Sequence, residues 1–374
     1  MSKRYNYNYR TSKRKGGNGL LTLVIILTVI IVGVLLIILN WNKIVDKFYD
    51  VMGMETTTTS GTTEPTDSSG SVTSTATSPT ESSGTTTESA TQSTDNLLWY
   101  QKELETARNP INIEPLANEI RSFIYDFSGY YGVCFYDLTS GATFGINDID
   151  YYMAASTIKI PLSLFIYNKV ATEGLNLNTR MTYLEEDHEV GTGYIINHHK
   201  VGDEFTLRIL CNYAIVYSDN IATNMLLREF GRAELKAFMR EMGGEVVDDV
   251  DNYSCPRDMA LYLKLLYMFE KEYPDLGREI ITYLRRTHEM TGGYVNTPEA
   301  DQRLIRFLPD SIKREVAHKT GNVAGGWHDV GIIFTDHPYV LAVMTNGVLY
   351  DEVNDVIANI SKKIYEYLAN LETY

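Results

Sequence analysis

Strand-like and helix-like segments follow an order in this chain that restricts its fold. Alternating or continuous apolar runs predict short strands in five places, at 130–136, 142–144, 316–319, 330–334 and 339–345. Helical patterns fill the middle, at 156–170, 206–216, 220–230, 233–242 and 256–271, and further helices are predicted at 113–127 and 351–368. This order predicts an α+β fold: one antiparallel sheet built from both ends of the domain, with flanking helices and an inserted all-helical lobe. We expect a cleft where the lobes meet.

Upstream of this globular body (residues 96–374), the sequence predicts a membrane anchor. Residues 1–18 form a basic tail without a single acidic residue. Residues 19–40 follow as a transmembrane helix, because the apolar run Leu20–Leu39 is long enough to cross a hydrocarbon layer of about 30 Å. Positive charge concentrated before the span predicts a single-pass protein with a cytoplasmic N-terminus and an extracellular body.

A stalk is predicted between the span and the body, at residues 41–95. From 55 to 95 the chain is nearly all Thr, Ser, Gly, Glu, Ala and Pro, with no aromatic residue. Such a segment cannot bury enough apolar surface to offset the entropy lost on ordering, so we expect it to be disordered.

Charge and metal-ligating residues exclude several classes of function. The net charge is −15 although the first 18 residues are basic, so the rest of the chain is strongly acidic and neither nucleic acid nor anionic lipid is expected as its main partner. The spacing of the three cysteines fits neither a zinc site nor a disulfide framework, and we expect them to be buried as small apolar side chains. The seven histidines show no ligand spacing, and no metal or nucleotide cofactor is predicted.

Ser156-Thr157-Ile158-Lys159 is the first motif that carries chemistry. Residues three apart on a helix share a face, so the S-x-x-K pattern places a hydroxyl beside an amine. This is the pairing of a nucleophile with a possible base. The pattern alone is weak, because it also occurs at Ser12–Lys15 in the basic tail. Two further polar tripeptides, each unique in the chain, follow it: Ser218-Asp219-Asn220 and Lys319-Thr320-Gly321.

With S-x-x-K, S-D-N and K-T-G in that order, the chain resembles the class A β-lactamase-like serine hydrolases and penicillin-binding proteins. The resemblance covers roughly Ile113 to Leu368 and includes flanking residues such as Thr206-Leu207-Arg208 and Ala222-Thr223-Asn224. It implies a β-lactamase/transpeptidase-like fold and a serine acyl-enzyme.

The resemblance also implies roles for three catalytic residues. Ser156 would attack a carbonyl carbon, Lys159 would take its proton, and Ser218 would relay a proton to the leaving nitrogen. Lys159 can act as a base only when neutral, and burial near the cation Lys319 is expected to lower its pKa.

The remaining matched residues are expected to bind the substrate. By resemblance, Asn220 would hydrogen-bond the substrate's side-chain amide, and Lys319 and Thr320 would meet its carboxylate. Gly321 would let the strand approach the substrate without a side chain. The backbone N–H groups of Ser156 and Asn322 would form the oxyanion hole.

One departure from the family pattern concerns release of the acyl group. Family lactamases carry an E-x-x-L-N loop whose Glu activates the deacylating water, and residues 243–254 contain no such sequence. The acids there are Glu245, Asp248, Asp249 and Asp251, for which a solvated loop is the favoured interpretation. Acylation is therefore better supported than fast hydrolysis.

Two other segments have open interpretations. The acidic run Glu185–Glu189 is read as a solvated loop, or alternatively as a cation-binding one. Tyr194 is either a cleft-lining aromatic residue or part of the core.

Three hypotheses for function follow. The first is an extracellular serine hydrolase that attacks a β-lactam or the D-alanyl-D-alanine end of a peptidoglycan stem peptide. The second is a penicillin-binding protein or D-alanyl-D-alanine peptidase that deacylates slowly. The third, from another class, is a non-catalytic module that binds or senses the cell wall, although the retention of all three motifs argues against a decayed site.

Overall fold

The structure, a computed structural model, describes residues 98–104, 111–287 and 303–371. Its strands are β1 (Tyr130–Asp137), β2 (Thr143–Ile146), β3 (Tyr152–Met153), β4 (Arg180–Thr182), β5 (Glu204–Thr206), β6 (Tyr253–Ser254), β7 (Val316–Val323), β8 (Gly326–Ile333) and β9 (Tyr339–Asn346). Its helices are α1 (Glu114–Tyr125), α2 (Lys159–Glu173), α3 (Ile195–His198), α4 (Leu207–Val216), α5 (Asn220–Phe230), α6 (Arg232–Glu241), α7 (Pro256–Glu272), α8 (Pro274–Arg285), α9 (Asp310–Lys313) and α10 (Tyr350–Leu371).

A five-stranded sheet combines strands from both ends of the described chain, in the order β2-β1-β9-β8-β7. All neighbouring strands are antiparallel, and β1 pairs with β9 from Tyr130↔Asn346 to Asp137↔Tyr339. The predicted α+β fold, with its sheet built from both ends and its helices between, is therefore confirmed.

Each face of the sheet packs against a different set of helices. Val133, Phe135 and Leu341 point to one face and pack with α1 and α10. Cys134 and Ala342 point to the other face and join the core of the helical lobe. Side chains alternate between the two faces because a strand has a two-residue period. Since both faces of the sheet are buried, β9 is apolar almost throughout. All three cysteines are buried and free, as expected.

Two helix starts differ from the sequence prediction. Ser156 lies in a 3₁₀ turn, Ala155–Ile158, and the α-helix proper begins only at Lys159. Before helix α7, Ser254 is of a residue type that often caps helices, but it pairs with Tyr152 in the β3–β6 ladder. Cys255 takes the capping position instead, and its Sγ accepts the N–H of Asp258 at 3.4 Å.

The predicted tail, span and stalk (1–18, 19–40 and 41–95) lie outside the described residues. Within the three described ranges, no helix has both the length and the apolar character needed to cross a bilayer.

Candidate active site

The S-x-x-K turn places Ser156 next to Lys159, as the spacing predicted. Lys159 Nζ lies 3.1 Å from Ser156 Oγ and donates a hydrogen bond to it. Ala155, just before the serine, has a φ of +49°, in the left-handed region that side chains other than glycine rarely adopt. Such strain is typical of functional sites, where the surrounding fold maintains it. The buried imidazole of His328 supports this segment by donating from Nε2 to the carbonyl of Met153 at 2.7 Å.

Lys159 is buried and surrounded by hydrogen-bond acceptors. Its Nζ donates to the carbonyl oxygen of Ser218 at 2.7 Å and to Asn220 Oδ1 at 2.9 Å. Burial and, to a smaller extent, the positive charge of Lys319 lower the pKa of Lys159 to about 7, although Asp219 and Glu189 act in the opposite direction. A lysine with this pKa is substantially neutral near neutral pH, so it can accept a proton.

Ser218 connects the S-x-x-K turn to strand β7. Its Oγ donates to Ser156 Oγ at 2.7 Å and accepts a hydrogen bond from Lys319 Nζ at 3.1 Å. The φ of Ser218 is +51°, so this residue also has a left-handed backbone. The three sequence motifs thus meet at one point, around two serine hydroxyls and two lysine amines.

Asp219, the middle residue of S-D-N, is fully buried and organises the neighbouring loops. Its carboxylate accepts the N–H groups of Tyr194 and Ile195, each at 2.7 Å, and that of Ala222 at 2.8 Å. The last of these bonds caps helix α5. Asp219 therefore fixes the segment before α3 against the start of α5.

The K-T-G segment lies along β7 beside the nucleophile. A Cβ at Gly321 would lie 2.9 Å from the carbonyl oxygen of Ala154 and 3.1 Å from Thr157 Cγ2. Glycine here therefore lets β7 pack directly on the serine-bearing turn, a reason that the sequence prediction did not include. Thr320 is half-buried next to Lys319, and its carbonyl oxygen accepts from Lys319 Nζ at 3.1 Å. Asn322 Oδ1 accepts from the buried Arg303 at 2.6 Å.

A cleft of about 290 Å³ opens in front of these groups. Predicted site residues that line it are Ser156, Lys159, Asn220 and Asn322. The other polar residues of its wall include Glu189, Asn224, Arg232 and Asn252.

The acids of the interval 243–254, considered above as possible deacylating bases, do not line the cleft. Within the part of the chain that the structure describes, this interval contributes only Asn252 to the cleft lining. Glu245 pairs with Arg257 at 3.2 Å, and Asp249 pairs with Arg240 at 2.5 Å. These acids are exposed, in agreement with the solvated-loop interpretation.

The acidic run Glu185–Glu189 is not merely a solvated loop. Asp187 is buried and forms a two-pronged ion pair with Arg228 of α5, at 2.7 and 3.0 Å. Glu189 faces the cleft and accepts hydrogen bonds from Asn220 and Asn224. Sequence reasoning missed Glu189 because nothing in its local spacing distinguishes it from its acidic neighbours. Only docking of the run onto α5 brings it to the site.

Tyr194 packs in an aromatic cluster. Its ring stacks on His198 with centroids 3.9 Å apart and contacts Tyr213 and Tyr217. Tyr194 is half-buried in this cluster and belongs neither to the cleft lining nor to the buried core.

A serine hydroxyl beside a buried lysine and a second serine, at the junction of a helical lobe and an antiparallel sheet, defines a serine hydrolase of the β-lactamase type. A family model described as the beta-lactamase enzyme family matches residues 115–368. The chain belongs to this family.

Individual relatives agree with this assignment. The chain is 26% identical over 265 residues to a beta-lactamase of Bacillus licheniformis, covering 65% of this chain and 80% of the relative. It is 32% identical over 129 residues to beta-lactamase SME-1 of Serratia marcescens, covering 34% of this chain. That match spans 43% of SME-1, less than half of its length.

Solved structures show the same fold. An ancestral class A beta-lactamase (GNCA) aligns with a TM-score of 0.59 at 26% identity, covering 67% of this chain and 99% of the other. PBP-A aligns with a TM-score of 0.61 at 24% identity, covering 72% of this chain and 100% of the other.

Proposed function

We propose that this protein opens a β-lactam, or cleaves the D-alanyl-D-alanine amide of a peptidoglycan stem peptide, through an acyl-enzyme on Ser156. The observation that carries the proposal is the 3.1 Å contact between Ser156 Oγ and the Nζ of a buried lysine whose pKa is about 7. A nucleophile within hydrogen-bond reach of a base that is available at neutral pH is the basic requirement for acyl transfer.

Acylation follows from the contacts around Ser156. Neutral Lys159 accepts the hydroxyl proton while Oγ attacks the carbonyl carbon, and negative charge develops on the carbonyl oxygen. The N–H groups of Ser156 and Asn322 are the proposed donors to that oxygen. When the C–N bond breaks, the nitrogen leaves with a proton that passes from Lys159 through the Ser218 hydroxyl, which lies between Ser156 Oγ and Lys319 Nζ.

Substrate binding is assigned to the residues beside this proton path. Lys319 Nζ lies 3.1 Å from Ser218 Oγ, and with Thr320 this lysine would receive the carboxylate shared by penicillins and D-alanyl-D-alanine peptides. Asn220 would bind the side-chain amide. A bound carboxylate would offset part of the Lys319 charge. Because that charge lowers the pKa of Lys159, substrate binding should raise this pKa and reduce the neutral fraction of Lys159.

A second candidate is a penicillin-binding protein or D-alanyl-D-alanine peptidase that deacylates slowly on lactams. It is favoured by one observation: within the described residues, the acids of 243–254 do not line the cleft. The two candidates share the acylation step and differ in how long the acyl group stays on Ser156.

We also place the catalytic domain (96–374) outside the cell, held by the span 19–40 and the stalk 41–95. The support is the apolar run, the basic tail before it and the composition of the stalk. Protease added to intact cells that express the full chain should remove the catalytic domain and leave a cell-associated N-terminal fragment. Full protection from protease would contradict this topology.

Intact-protein mass spectrometry tests the acyl-enzyme. The full chain, purified in detergent, is mixed with benzylpenicillin and sampled over time, beside Ser156→Ala. We expect a covalent adduct with the mass of the drug on the wild type alone. A transient adduct with accumulating penicilloate identifies a β-lactamase, and a persistent one identifies a penicillin-binding protein. If no lactam and no D-alanyl-D-alanine peptide thioester leaves an adduct, the proposal is wrong.

A further inference from the structure

Glu189 presents a fixed carboxylate to the catalytic cleft. Its Oε1 accepts from Asn220 Nδ2 at 3.0 Å, and its Oε2 accepts from Asn224 Nδ2 at 2.8 Å. Both donors lie one turn apart on α5, so the two oxygens are held by one rigid element. Two residues earlier, the buried Asp187 forms an ion pair with Arg228 and so holds the same segment on the same helix.

A short hydrogen-bonded path joins Glu189 to the nucleophile. Asn220 donates to Glu189 from Nδ2 and accepts from Lys159 Nζ at its Oδ1, 2.9 Å away, while Lys159 Nζ lies 3.1 Å from Ser156 Oγ. The negative charge of Glu189 raises the pKa of Lys159, against the larger effects of burial and Lys319.

The cleft gives this carboxylate access to water. Glu189 and Ser156 line the same space of about 290 Å³, whereas one water molecule takes up only about 30 Å³ of the liquid. Among the cleft-lining residues that the structure describes, Glu189 is the only carboxylate. The wall therefore offers one carboxylate in the same cleft as an acyl group on Ser156.

We propose that Glu189 is the general base that activates water to release the acyl group from Ser156; this inference rests on the proposed acyl-enzyme. A water oxygen attacks the ester carbon while its proton goes to Glu189, and the C=O electron pair moves to the oxygen. As the tetrahedral intermediate collapses, the C–Oγ bond breaks and Oγ takes the proton that Glu189 accepted, which is delivered through water in the cleft. Ester and water thus give a carboxylic acid and free serine.

A purely structural role would have a different signature. If Glu189 only oriented Asn220, its loss would disturb Lys159 and the bound substrate, and acylation would slow together with deacylation. A general base for water takes part only after the acyl group has formed. The two rate constants therefore have to be measured separately.

The test compares Glu189→Gln with Glu185→Gln in the full-length protein. Glu185 is an exposed acid of the same segment, so its variant makes the same charge change away from the cleft. Acylation by benzylpenicillin is followed by rapid quench and intact mass, and deacylation is followed after removal of free drug. For Glu189→Gln we expect acylation within about threefold of wild type and deacylation slower by about 100-fold or more, the range of general-base catalysis. Glu185→Gln should match the wild type in both.

A second readout checks that the variant acts at the site. Because the Glu189 charge raises the pKa of Lys159, its removal should shift the rise of acylation rate with pH to lower pH, and Glu185→Gln should leave that rise in place.

The outcomes separate the two proposals. An adduct that Glu189→Gln releases as fast as wild type overturns the role of Glu189 and leaves the acyl-enzyme intact. Equal losses in acylation and deacylation also overturn it, in favour of a positioning role. Absence of any adduct on the wild type refutes the proposed function itself.

Discussion

Ser218 Oγ donates a hydrogen bond of 2.7 Å to Ser156 Oγ, while Lys159 Nζ approaches the same nucleophilic oxygen at 3.1 Å. The Ser156 hydroxyl, the proposed nucleophile, therefore has two neighbours with different properties, one amine and one hydroxyl. The amine can remove the proton, and the hydroxyl lies on the side of Lys319, where the substrate carboxylate is expected. This division of contacts separates proton removal from proton delivery.

Replacing Ser218 with alanine should impair proton delivery more than nucleophilic attack. Lys159 keeps its contacts with Ser156 and Asn220, so we expect an adduct still to form, with acylation slower by about 10- to 100-fold. The loss should be smaller for a D-alanyl ester than for the matching amide, because an amide nitrogen needs protonation to leave. Rapid-quench acylation rates with both substrates measure this difference. Equal rates for Ser218→Ala and wild type with the amide would contradict the relay.

Acylation should depend on pH through Lys159. Its pKa is lowered to about 7, and only the neutral amine accepts the serine proton, so the acylation rate should rise as pH increases through about 7 and level off above it. Lys319→Met removes a positive charge that lowers this pKa, so the rise should move to higher pH. Lys313→Met on α9, a matched change away from the cleft, should not move it. A pH-independent acylation rate between pH 5 and 9 would contradict the assignment of Lys159 as base.

The Asp187–Arg228 ion pair should stabilise both the fold and the Glu189 segment. Asp187 is buried, but the Arg228 side chain is 28% exposed and can be solvated when it loses its partner. We therefore expect Asp187→Ala to reduce the free energy of unfolding by about 2 kcal/mol, less than the loss of a partner from a fully buried pair. Urea denaturation measures it.

The control for Asp187→Ala is Glu186→Ala. The Glu186 side chain is 67% exposed and lies 3.7 Å from the same arginine, so its removal should change stability by less than about 0.5 kcal/mol. Similar losses for the two variants would show that burial does not determine the strength of these contacts.

His328 should make the fold sensitive to acid. Burial lowers the pKa of His328 to about 4, below its ordinary 6.5, although the bond to the Met153 carbonyl acts in the opposite direction. The native ring is therefore neutral: Nε2 donates to Met153, and Nδ1 accepts the N–H of Thr345 at 3.1 Å. Between pH 6.5 and 4 the unfolded chain binds a proton that the native state does not. The free energy of unfolding should therefore fall as pH falls through this window, by about 3 kcal/mol from this group.

The slope of stability against pH isolates the contribution of His328. His328→Gln should show a shallower fall between pH 6.5 and 4 than the wild type, whatever its stability at neutral pH. An NMR titration midpoint of the His328 ring near 6.5 would contradict the burial argument.

Local patterns predicted the parts of this site that depend on local geometry. The contact between Ser156 and Lys159 follows from residues three apart on a turn, and the sheet follows from apolar strands at both ends of the body. Glu189 was not predictable, because its position depends on the docking of Asp187 onto α5. The left-handed backbone of Ala155 and Ser218 was not predictable from the sequence either, since neither residue type indicates a positive φ.

The pairing of β1 with β9 affects how the protein is made. Tyr130 and Asn346 are neighbours in the sheet but are separated by most of the globular body in sequence. On the ribosome, the β1–β2 hairpin emerges long before β9, the strand that pairs with β1. Until β9 is synthesised, the edge of β1 stays unpaired and is exposed to aggregation. The helical segments of the middle have local contacts and can form during this interval. A ribosome-stalled chain that ends before residue 339 should therefore contain helix but bind no penicillin, because Lys319 gains its final position only when β9 closes the sheet.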